Sequence, residues 1–322
     1  MGQGVKKPGD GIRAWMMMQL KPDHVAAADV RSAAVETGAA CNLRCPFCRT
    51  GNGTGTLSKD FLSVERFAAI LDRLGSGLKF LAVMRWGEPL LNPNIAGILT
   101  EASSRGVATL LHSNLSLPSF DEEAARGLVS SGLTELSFSC DGASQETYGQ
   151  YRVGGNFRLA LSKVALLLEA RRRLPAKLPI VRWQFLVHRG NRHELKKASV
   201  LARRLGVKIE FRKLWAPPEW TAEPAEIASR LPARAALFEY PVCLQAWEMP
   251  GVHSDGTVLP CCVVADARHG LGNIFDEPLE RIWNKPLVVA MRRYLRAGIR
   301  SEMALPCYGC ARDPNRRAPA RS

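Results

Sequence analysis

Short apolar runs alternate with amphipathic helical patterns between residue 32 and about residue 213. Apolar runs of four to eight residues are typical of buried strands, and apolar positions recurring every three or four residues are typical of helices. The alternation predicts six strands, at residues 32–37, 79–84, 108–112, 135–140, 180–187 and 208–213. It predicts five helices between them, at residues 63–74, 94–104, 121–131, 157–172 and 193–205.

Strands that alternate with helices indicate parallel βαβ units. Right-handed crossovers wind such units into an open or closed barrel. We therefore predict an α/β fold, a partial (β/α)6 barrel similar to a TIM barrel, at residues 32–213. In such folds the chemistry collects at the C-terminal ends of the strands. Chemistry-bearing residues do follow the predicted strands directly: three cysteines, Gly87, Glu88, Asn114, Asp141 and His188.

The regular alternation covers only part of the chain. Residues 1–31 carry no strong period and are predicted to form an extension that packs on the core. Residues 214–242 are predicted to be a linker with a short helix, and residues 243–322 a small separate domain. Within that domain Asp255 and Gly256 predict the turn of a hairpin. Pro286 is expected to split the helical pattern around it into two short helices.

Composition and charge narrow the class of protein. The 322 residues are 46% hydrophobic and 23% charged, as in proteins that bury a core. No run of apolar residues is long enough for a transmembrane helix, and the N-terminus lacks the apolar core of a signal peptide, so we predict a cytoplasmic protein. The net charge of +14 suits anionic partners. Without an aromatic-interleaved basic motif, however, nucleic acid is not the expected partner.

The cysteines are the most informative residues. In a protein with no export signal, clustered cysteines bind metal more often than they form disulfides. The chain has nine: Cys41, Cys45, Cys48, Cys140, Cys243, Cys261, Cys262, Cys307 and Cys310.

Cys41, Cys45 and Cys48 have the spacing CxxxCxxC and follow the first predicted strand. Three thiolates on a 4Fe–4S cluster leave one iron open. That iron can chelate the amino and carboxylate groups of S-adenosylmethionine (SAM), whose reductive cleavage releases a 5′-deoxyadenosyl radical. The alternatives are a zinc knuckle or unrelated buried thiols. Zinc would need a fourth Cys or His ligand nearby, and none follows before His112.

The triplet, with the aromatic Phe47 before its third cysteine, resembles the cysteine loop of the radical SAM superfamily. The resemblance runs from about residue 32 to residue 310. It implies that Gly87, Glu88 and Pro89, after the second strand, contact the SAM amino group. Trp86 stands where most members have glycine.

Five further positions resemble the superfamily's SAM-facing residues. Ser139 and Asp141 match its Ser-x-Asp-Gly at the end of the fourth strand, which implies contact with the SAM carboxylate and ribose. Asn114 and Gln184 are implied to face SAM or substrate. Arg152 resembles an arginine that pairs with the SAM carboxylate, for which a guanidinium is a bidentate match. The alternative for this arginine is a surface salt bridge.

His188, after the fifth predicted strand, is expected to be a core or rim histidine rather than a catalytic one.

The C-terminal cysteines form a second pattern. Cys243 and Cys261 fit Cys-x12-Gly-x4-Cys, and Cys307 and Cys310 form a CxxC. This pattern resembles the SPASM/twitch group of auxiliary-cluster domains and implies a second 4Fe–4S cluster. No cysteine follows Cys310, so we favour the shorter twitch form, with one cluster held by these four residues. A zinc ribbon is the alternative.

Cys140 and Cys262 remain outside both patterns. The commonest fate of a free cysteine is to be an inert buried thiol, and Cys262 is also a candidate backup ligand. Either is a candidate to donate a hydrogen atom to a substrate radical, which would make the enzyme an epimerase.

The resemblance implies hydrogen abstraction from a substrate carbon, followed by oxidation or epimerisation. Relatives with a single twitch cluster include aminocyclitol dehydrogenases, so we expect a small polar substrate such as a sugar or aminocyclitol. A flavodoxin- or ferredoxin-type electron donor is expected. Modification of a peptide or protein is the second hypothesis, although the 40 residues before Cys41 are too few for a separate peptide-recognition domain. A zinc- or iron-binding nucleic-acid module is the third.

Overall fold

All six predicted core strands form, within a few residues of the predicted ends. The computed structural model describes residues 10–232, 235–238, 242–308, 310 and 313. The strands are β1 (Ser32–Val35), β2 (Phe80–Val83), β3 (Ala108–Ser113), β4 (Glu135–Ser139), β5 (Ile180–Val187), β6 (Lys208–Lys213), β7 (Leu237–Phe238), β8 (Gly251–Val252), β9 (Thr257–Leu259) and β10 (Gly272–Asn273). Strands β1 to β6 pair in parallel in sequence order.

The sheet is an open, partial barrel, as predicted. In the described part of the chain its order is β10-β9-β8-β1-β2-β3-β4-β5-β6-β7. The two edges of the six-stranded core are therefore covered by β8 and β7 rather than paired with each other. The sequence does not predict β7, because this strand is only two residues long and lies in the predicted linker. The division of the chain at residues 214–242 stays a prediction.

The five predicted core helices also form. The helices are α1 (Asp10–Gln19), α2 (Val64–Leu74), α3 (Ile95–Ser104), α4 (Glu122–Ser130), α5 (Gln145–Tyr151), α6 (Phe157–Arg173), α7 (Leu195–Leu205), α8 (Pro224–Ala228), α9 (Gln245–Glu248), α10 (Leu279–Trp283) and α11 (Pro286–Ala297). Ser63 caps α2, because its Oγ accepts a hydrogen bond from the Arg66 amide at 3.2 Å. None of the helices described is long and apolar enough to cross a bilayer.

The two faces of the central strands differ in polarity. Phe138 pairs in register with Trp183, and Phe185 with Phe211. These rings are buried in the core that the helices cover. Because successive strand residues point to opposite faces, the residues between them form a polar inner face on the concave side of the sheet.

The N-terminal extension packs on the C-terminal part of the chain. The carbonyl of Pro22 accepts a hydrogen bond from Trp247 Nε1 at 2.7 Å, and that of Asp23 accepts one from Arg292 Nη1 at 2.7 Å. The Asp23 carboxylate also pairs with Arg296 at 2.6 Å. Most of these contacts are made by backbone carbonyls, so the pattern of side chains in the sequence does not predict them.

The C-terminal hairpin forms as predicted. β8 and β9 are antiparallel, and Gly256 in their turn has a φ of +91°, which favours glycine. Pro286 is the first residue of α11 and separates it from α10. Since β8 also pairs with β1, the hairpin lies beside the first predicted cysteine loop.

Candidate active site

The three N-terminal cysteines lie on one short loop after β1. Cys45 is buried, whereas Cys41 and Cys48 are half-buried. The Cys48 amide donates to the Cys45 carbonyl at 3.2 Å, and the Arg44 amide donates to the Val153 carbonyl at 2.9 Å. All three cysteines pack in one small apolar cluster. The loop therefore concentrates three soft ligands in a site with little access to water.

The local environment of these thiols fits iron binding. Burial raises the pKa of Cys41 to about 12. Burial also raises the pKa of Cys45, and the Arg152 guanidinium, whose Nη1 lies 3.9 Å from Cys45 Sγ, opposes that rise. A bound metal ion replaces the thiol proton, so coordination relieves the charge burial that the metal-free thiolates would suffer.

Arg152 forms a buried ion pair with Asp141. Its Nε lies 2.6 Å from Asp141 Oδ2, and Asp141 Oδ1 accepts a hydrogen bond from the Leu186 amide at 2.6 Å. Burial raises the pKa of Asp141, and the guanidinium opposes that rise. The alternative interpretation of Arg152, a surface salt bridge, is therefore wrong, because the Asp141 side chain is fully buried. Its contact with the SAM carboxylate stays a prediction.

The loop after β2 is held by a carboxylate that the sequence reasoning missed. Glu36 is fully buried, and its Oε2 accepts hydrogen bonds from the amides of Trp86 and Gly87. A Cβ on Gly87 would lie 1.9 Å from the Gly38 carbonyl oxygen. Trp86 is not among the described residues with a positive φ, so its backbone does not need glycine, whereas the close approach at position 87 does.

Glu88 lies at the end of the same loop. Its Oε2 accepts a hydrogen bond from the Asn114 amide at 2.8 Å, and its Oε1 accepts one from the Leu90 amide at 3.1 Å, after Pro89. Burial raises the pKa of Glu88 to about 7. Asn114 Nδ2 donates to Asn42 Oδ1 at 2.9 Å, which ties the ends of β2 and β3 to the cysteine loop. A buried carboxyl here suits an ammonium partner.

Ser139 and Gln184 lie side by side on the inner face. They are register partners on β4 and β5, and Gln184 Nε2 is 3.5 Å from Ser139 Oγ. Cys140, the next residue, is fully buried, and its Sγ lies 3.8 Å from the Gly142 carbonyl oxygen. Cys262 is exposed. Hydrogen donation by either stays a prediction, for which Cys262 has the freer access.

Aromatic rings surround the cysteine loop. The Phe47 ring stacks on Tyr151 with centroids 6.2 Å apart and meets Trp220 edge-on at 5.2 Å. His188 lies 5.1 Å from Trp220, and burial lowers its pKa to about 4. Trp220 comes from the predicted linker, so only the tertiary structure identifies it as part of the site.

The four cysteines of the second pattern converge on one pocket. Cys243, Cys261, Cys307 and Cys310 line one partly open pocket, together with Cys262 and apolar side chains such as Met291 and Leu295. Four thiols in an apolar, concave setting match the ligands of a 4Fe–4S cluster.

The buried thiols of this pocket have little tendency to ionise without metal. Burial raises the pKa of Cys261 to about 12 and also raises that of Cys307. No group of three or more His, Cys, Asp or Glu side chains within the described ranges is arranged to hold a single metal ion. A cubane cluster makes a different demand, because each cysteine binds its own iron.

Two family models match the chain in separate places. The model of the radical SAM superfamily matches residues 35–178. The model of the SPASM iron–sulfur cluster-binding domain matches residues 243–311. The first range holds the three-cysteine loop with Glu88 and the ion pair of Asp141 and Arg152. The second holds all four cysteines of the C-terminal pocket.

Two curated proteins are similar to part of the chain. The AdoMet-dependent heme synthase of Methanosarcina barkeri is 29% identical over 177 residues, which are 55% of this chain and 48% of the synthase. The GTP 3′,8-cyclase of Desulforamulus reducens is 27% identical over 176 residues, which are 54% of this chain and 52% of the cyclase. The matches thus span about half the length of these relatives.

The fold is similar to that of Streptococcus suis SuiB bound to S-adenosylmethionine. The TM-score is 0.65 with 14% sequence identity, and the superposition covers 88% of this chain and 71% of SuiB. At this identity the likeness shows the fold alone.

Proposed function

Because this chain belongs to the radical SAM superfamily and carries an SPASM iron–sulfur domain, we propose that it abstracts hydrogen from a carbon of a small polar substrate and oxidises or epimerises it. When bound, the first 4Fe–4S cluster and SAM supply a 5′-deoxyadenosyl radical. Cys41, Cys45 and Cys48 would hold that cluster, and the C-terminal four cysteines the auxiliary one. A sugar or aminocyclitol is the substrate class we favour.

The polarity of the inner face carries this proposal. Arg182 on β5 pairs with Glu135 on β4 at 2.8 Å and lies 3.8 Å from Glu210 on β6. Arg212 pairs with Glu210 at 2.9 Å. Glu135 and Arg182 lie in the first half of their strands, whereas Ser139 and Gln184 lie nearer the C-terminal ends, toward the cysteine loop. The hydroxyl of Ser139 and the amide of Gln184 suit hydroxyl and amine groups of a substrate. An apolar substrate placed against Ser139 and Gln184 would remove water from their polar groups without replacing its hydrogen bonds.

The residues around the cysteine loop have distinct roles in this proposal. The Glu88 carboxyl would accept hydrogen bonds from the SAM ammonium. The ion pair of Asp141 and Arg152 would hold the Cys45 side of the loop in place. Phe47 and Trp220 would exclude water from the radical's path, since their rings cover the loop.

The names of the relatives point to more than one class of substrate. Two curated relatives are named a heme synthase and a GTP cyclase, which supports a small substrate, and a third is named a mycofactocin maturase. SuiB has also been solved with its precursor peptide SuiA, which keeps peptide or protein modification as the second candidate. The zinc- or iron-binding nucleic-acid module gains no support from the family.

An isotope-transfer assay tests the proposal. The anaerobically reconstituted enzyme is incubated with SAM, dithionite and deuterium-labelled sugars or aminocyclitols, and deuterium in 5′-deoxyadenosine is measured by mass spectrometry. Transfer from one labelled position would support the proposal and name the carbon attacked. Transfer only from labelled peptides would support the second candidate. Absence of SAM cleavage in wild-type enzyme, or retained cleavage in Cys45→Ala, would refute the assignment of the first cluster.

We also propose that a flavodoxin or ferredoxin supplies the electron and that the protein works in the cytoplasm. The electron donor is testable by replacing dithionite with reduced flavodoxin in the same assay. Turnover with dithionite but with none of several flavodoxins or ferredoxins would count against it.

A further inference from the structure

Arg85 connects the loop after β2 to the auxiliary-cluster pocket. It directly precedes Trp86 and Gly87, whose amides bind Glu36. At its other end, Arg85 Nη2 donates to the Cys261 carbonyl at 2.7 Å and lies 3.4 Å from the Val264 carbonyl. One side chain therefore spans from the predicted SAM site to the backbone of a predicted cluster ligand.

The guanidinium of Arg85 is seated tightly against the hairpin. A Cβ on Gly251 of β8 would lie 1.4 Å from Arg85 Nη1. Only glycine at position 251 leaves room for the arginine in this position. The charge is thus held beside the segment that leads through β9 to Cys261.

The positive charge of Arg85 has no carboxylate partner within ion-pair distance in the described part of the chain. Its Nε is buried without a hydrogen-bond partner among the same residues. The titratable groups that interact with it are the Glu36 carboxyl, the thiols of Cys261 and Cys262, and the ring of His253. A buried charge without a close counter-ion is costly, so the site calls for an anion on the cysteine side.

We propose that Arg85 is the counter-charge of the auxiliary cluster and raises its reduction potential, an inference that rests on the proposed function. A 4Fe–4S cluster with four thiolate ligands is a net anion, and one-electron reduction adds another negative charge. A fixed guanidinium nearby stabilises the reduced form more than the oxidised form. The hydrogen bond to the Cys261 carbonyl fixes the position of that charge relative to the cluster ligand.

This role matters for the fate of the substrate radical. An auxiliary cluster of higher potential is a better acceptor for the electron that a substrate radical loses on oxidation. Arg85 is thus a positioning residue that favours oxidation over return of a hydrogen atom. It touches neither predicted substrate nor SAM and acts through the cluster.

Redox titration of the reconstituted enzyme, followed by EPR, tests this role in Arg85→Gln and Arg85→Lys. The cluster whose spectrum changes when SAM is added is the first one, and the other is the auxiliary cluster. Arg85→Gln should shift the reduced-to-oxidised ratio of the auxiliary cluster about tenfold toward the oxidised form at a fixed potential, about 59 mV for one electron. Arg85→Lys keeps the charge and should shift it less.

Arg66→Gln is the matched control. Arg66 also donates to carbonyls of the same hairpin, those of Ser254 and Asp255, at 2.8 Å each, but at the end away from Cys261. This variant removes one positive charge and two hydrogen bonds and should leave the auxiliary potential unchanged.

The outcomes separate the two proposals. Wild-type enzyme without an auxiliary cluster would refute the proposed function itself. An unchanged auxiliary potential in Arg85→Gln, or equal shifts in Arg85→Gln and Arg66→Gln, would refute the role of Arg85 alone. If Arg85→Gln fails to retain the cluster, retention in Arg85→Lys would support a charge requirement. Loss in both variants would contradict it and leave the guanidinium hydrogen bonds as the essential feature.

Discussion

Arg152 lies between Asp141 and Cys45: its Nε is 2.6 Å from Asp141 Oδ2, and its Nη1 is 3.9 Å from Cys45 Sγ. The carboxylate at the end of β4 and the middle ligand of the cysteine loop are therefore joined through one guanidinium. A change at Asp141 should therefore affect the cysteine loop as well as the barrel.

Asp141→Asn should destabilise the protein strongly. The amide keeps an acceptor for the Leu186 amide but leaves the buried charge of Arg152 unpaired, a change that costs about 3–5 kcal/mol. Urea unfolding of the anaerobic reconstituted protein measures the loss, and iron content reports whether the first cluster survives.

Glu169→Gln is the control for that variant. Glu169 pairs with Arg172 and Arg173 on the exposed face of α6, where water and salt screen the charges and ion pairs contribute little to stability. Equal unfolding free energies for Asp141→Asn and Glu169→Gln would show that the buried ion pair stabilises the fold no more than the exposed one does.

Gly87→Ala should weaken SAM binding. The added Cβ would lie 1.9 Å from the Gly38 carbonyl oxygen, so the loop that carries Glu88 must move away from the cysteine loop. We expect at least a tenfold rise in the SAM dissociation constant, about 1.4 kcal/mol, measured by equilibrium binding to the reconstituted enzyme.

Gly127→Ala provides the comparison for the glycine variant. Gly127 lies in α4, and its Cβ would lie 3.7 Å from the Cβ of Ala96 in α3, an ordinary van der Waals contact. Replacing a helical glycine by alanine should raise stability by about 0.4–1 kcal/mol without changing SAM binding. Equal SAM affinities in the two variants would contradict the requirement for glycine at position 87.

His188 should make stability depend on acid pH. Burial lowers its pKa from 6.5 to about 4, so the unfolded chain binds this proton first as the pH falls. The resulting loss of stability begins near pH 6.5 and is complete near pH 4. Between pH 7 and pH 5 the expected loss is about 2 kcal/mol.

Comparison with His188→Phe isolates this contribution. The variant keeps an aromatic ring beside Trp220 but cannot titrate. From pH 7 to pH 5, the unfolding free energy of the wild type should therefore fall by about 2 kcal/mol relative to that of the variant. A difference that is constant with pH would show that His188 titrates normally in the folded state.

Cys307→Ala should remove the auxiliary cluster selectively. Cys307 is buried in the pocket that the other three C-terminal cysteines line. Reconstituted wild type should hold about eight irons and the variant about half as many, with some uncoupled SAM cleavage remaining. Exposed Cys262 is the control position, and unchanged iron in both Cys307→Ala and Cys262→Ala would remove the auxiliary cluster from the scheme.

The amino-acid sequence alone predicted the strands and helices of the core and grouped the cysteines into two sets by their spacing. Period and strand length are local properties, and they predicted β1 to β6 and the helices between them. The spacing of Cys41, Cys45 and Cys48 is likewise local. The Asp255-Gly256 turn predicted the hairpin that begins to gather the distant C-terminal cysteines.

Contacts between residues far apart in the chain were decided only by the tertiary structure. The pairing of β1 with β2 places Glu36 beside the amides of Trp86 and Gly87. The path of the chain after β6 brings Trp220 onto Phe47, and the C-terminal hairpin places the Cys261 carbonyl against Arg85. No periodic or motif signal predicted these contacts of Glu36, Trp220 and Arg85, because strand pairing and chain reversal, not neighbours in sequence, define their surroundings. The local sequence therefore predicted the ligands, and packing decided which charges and rings lie beside them.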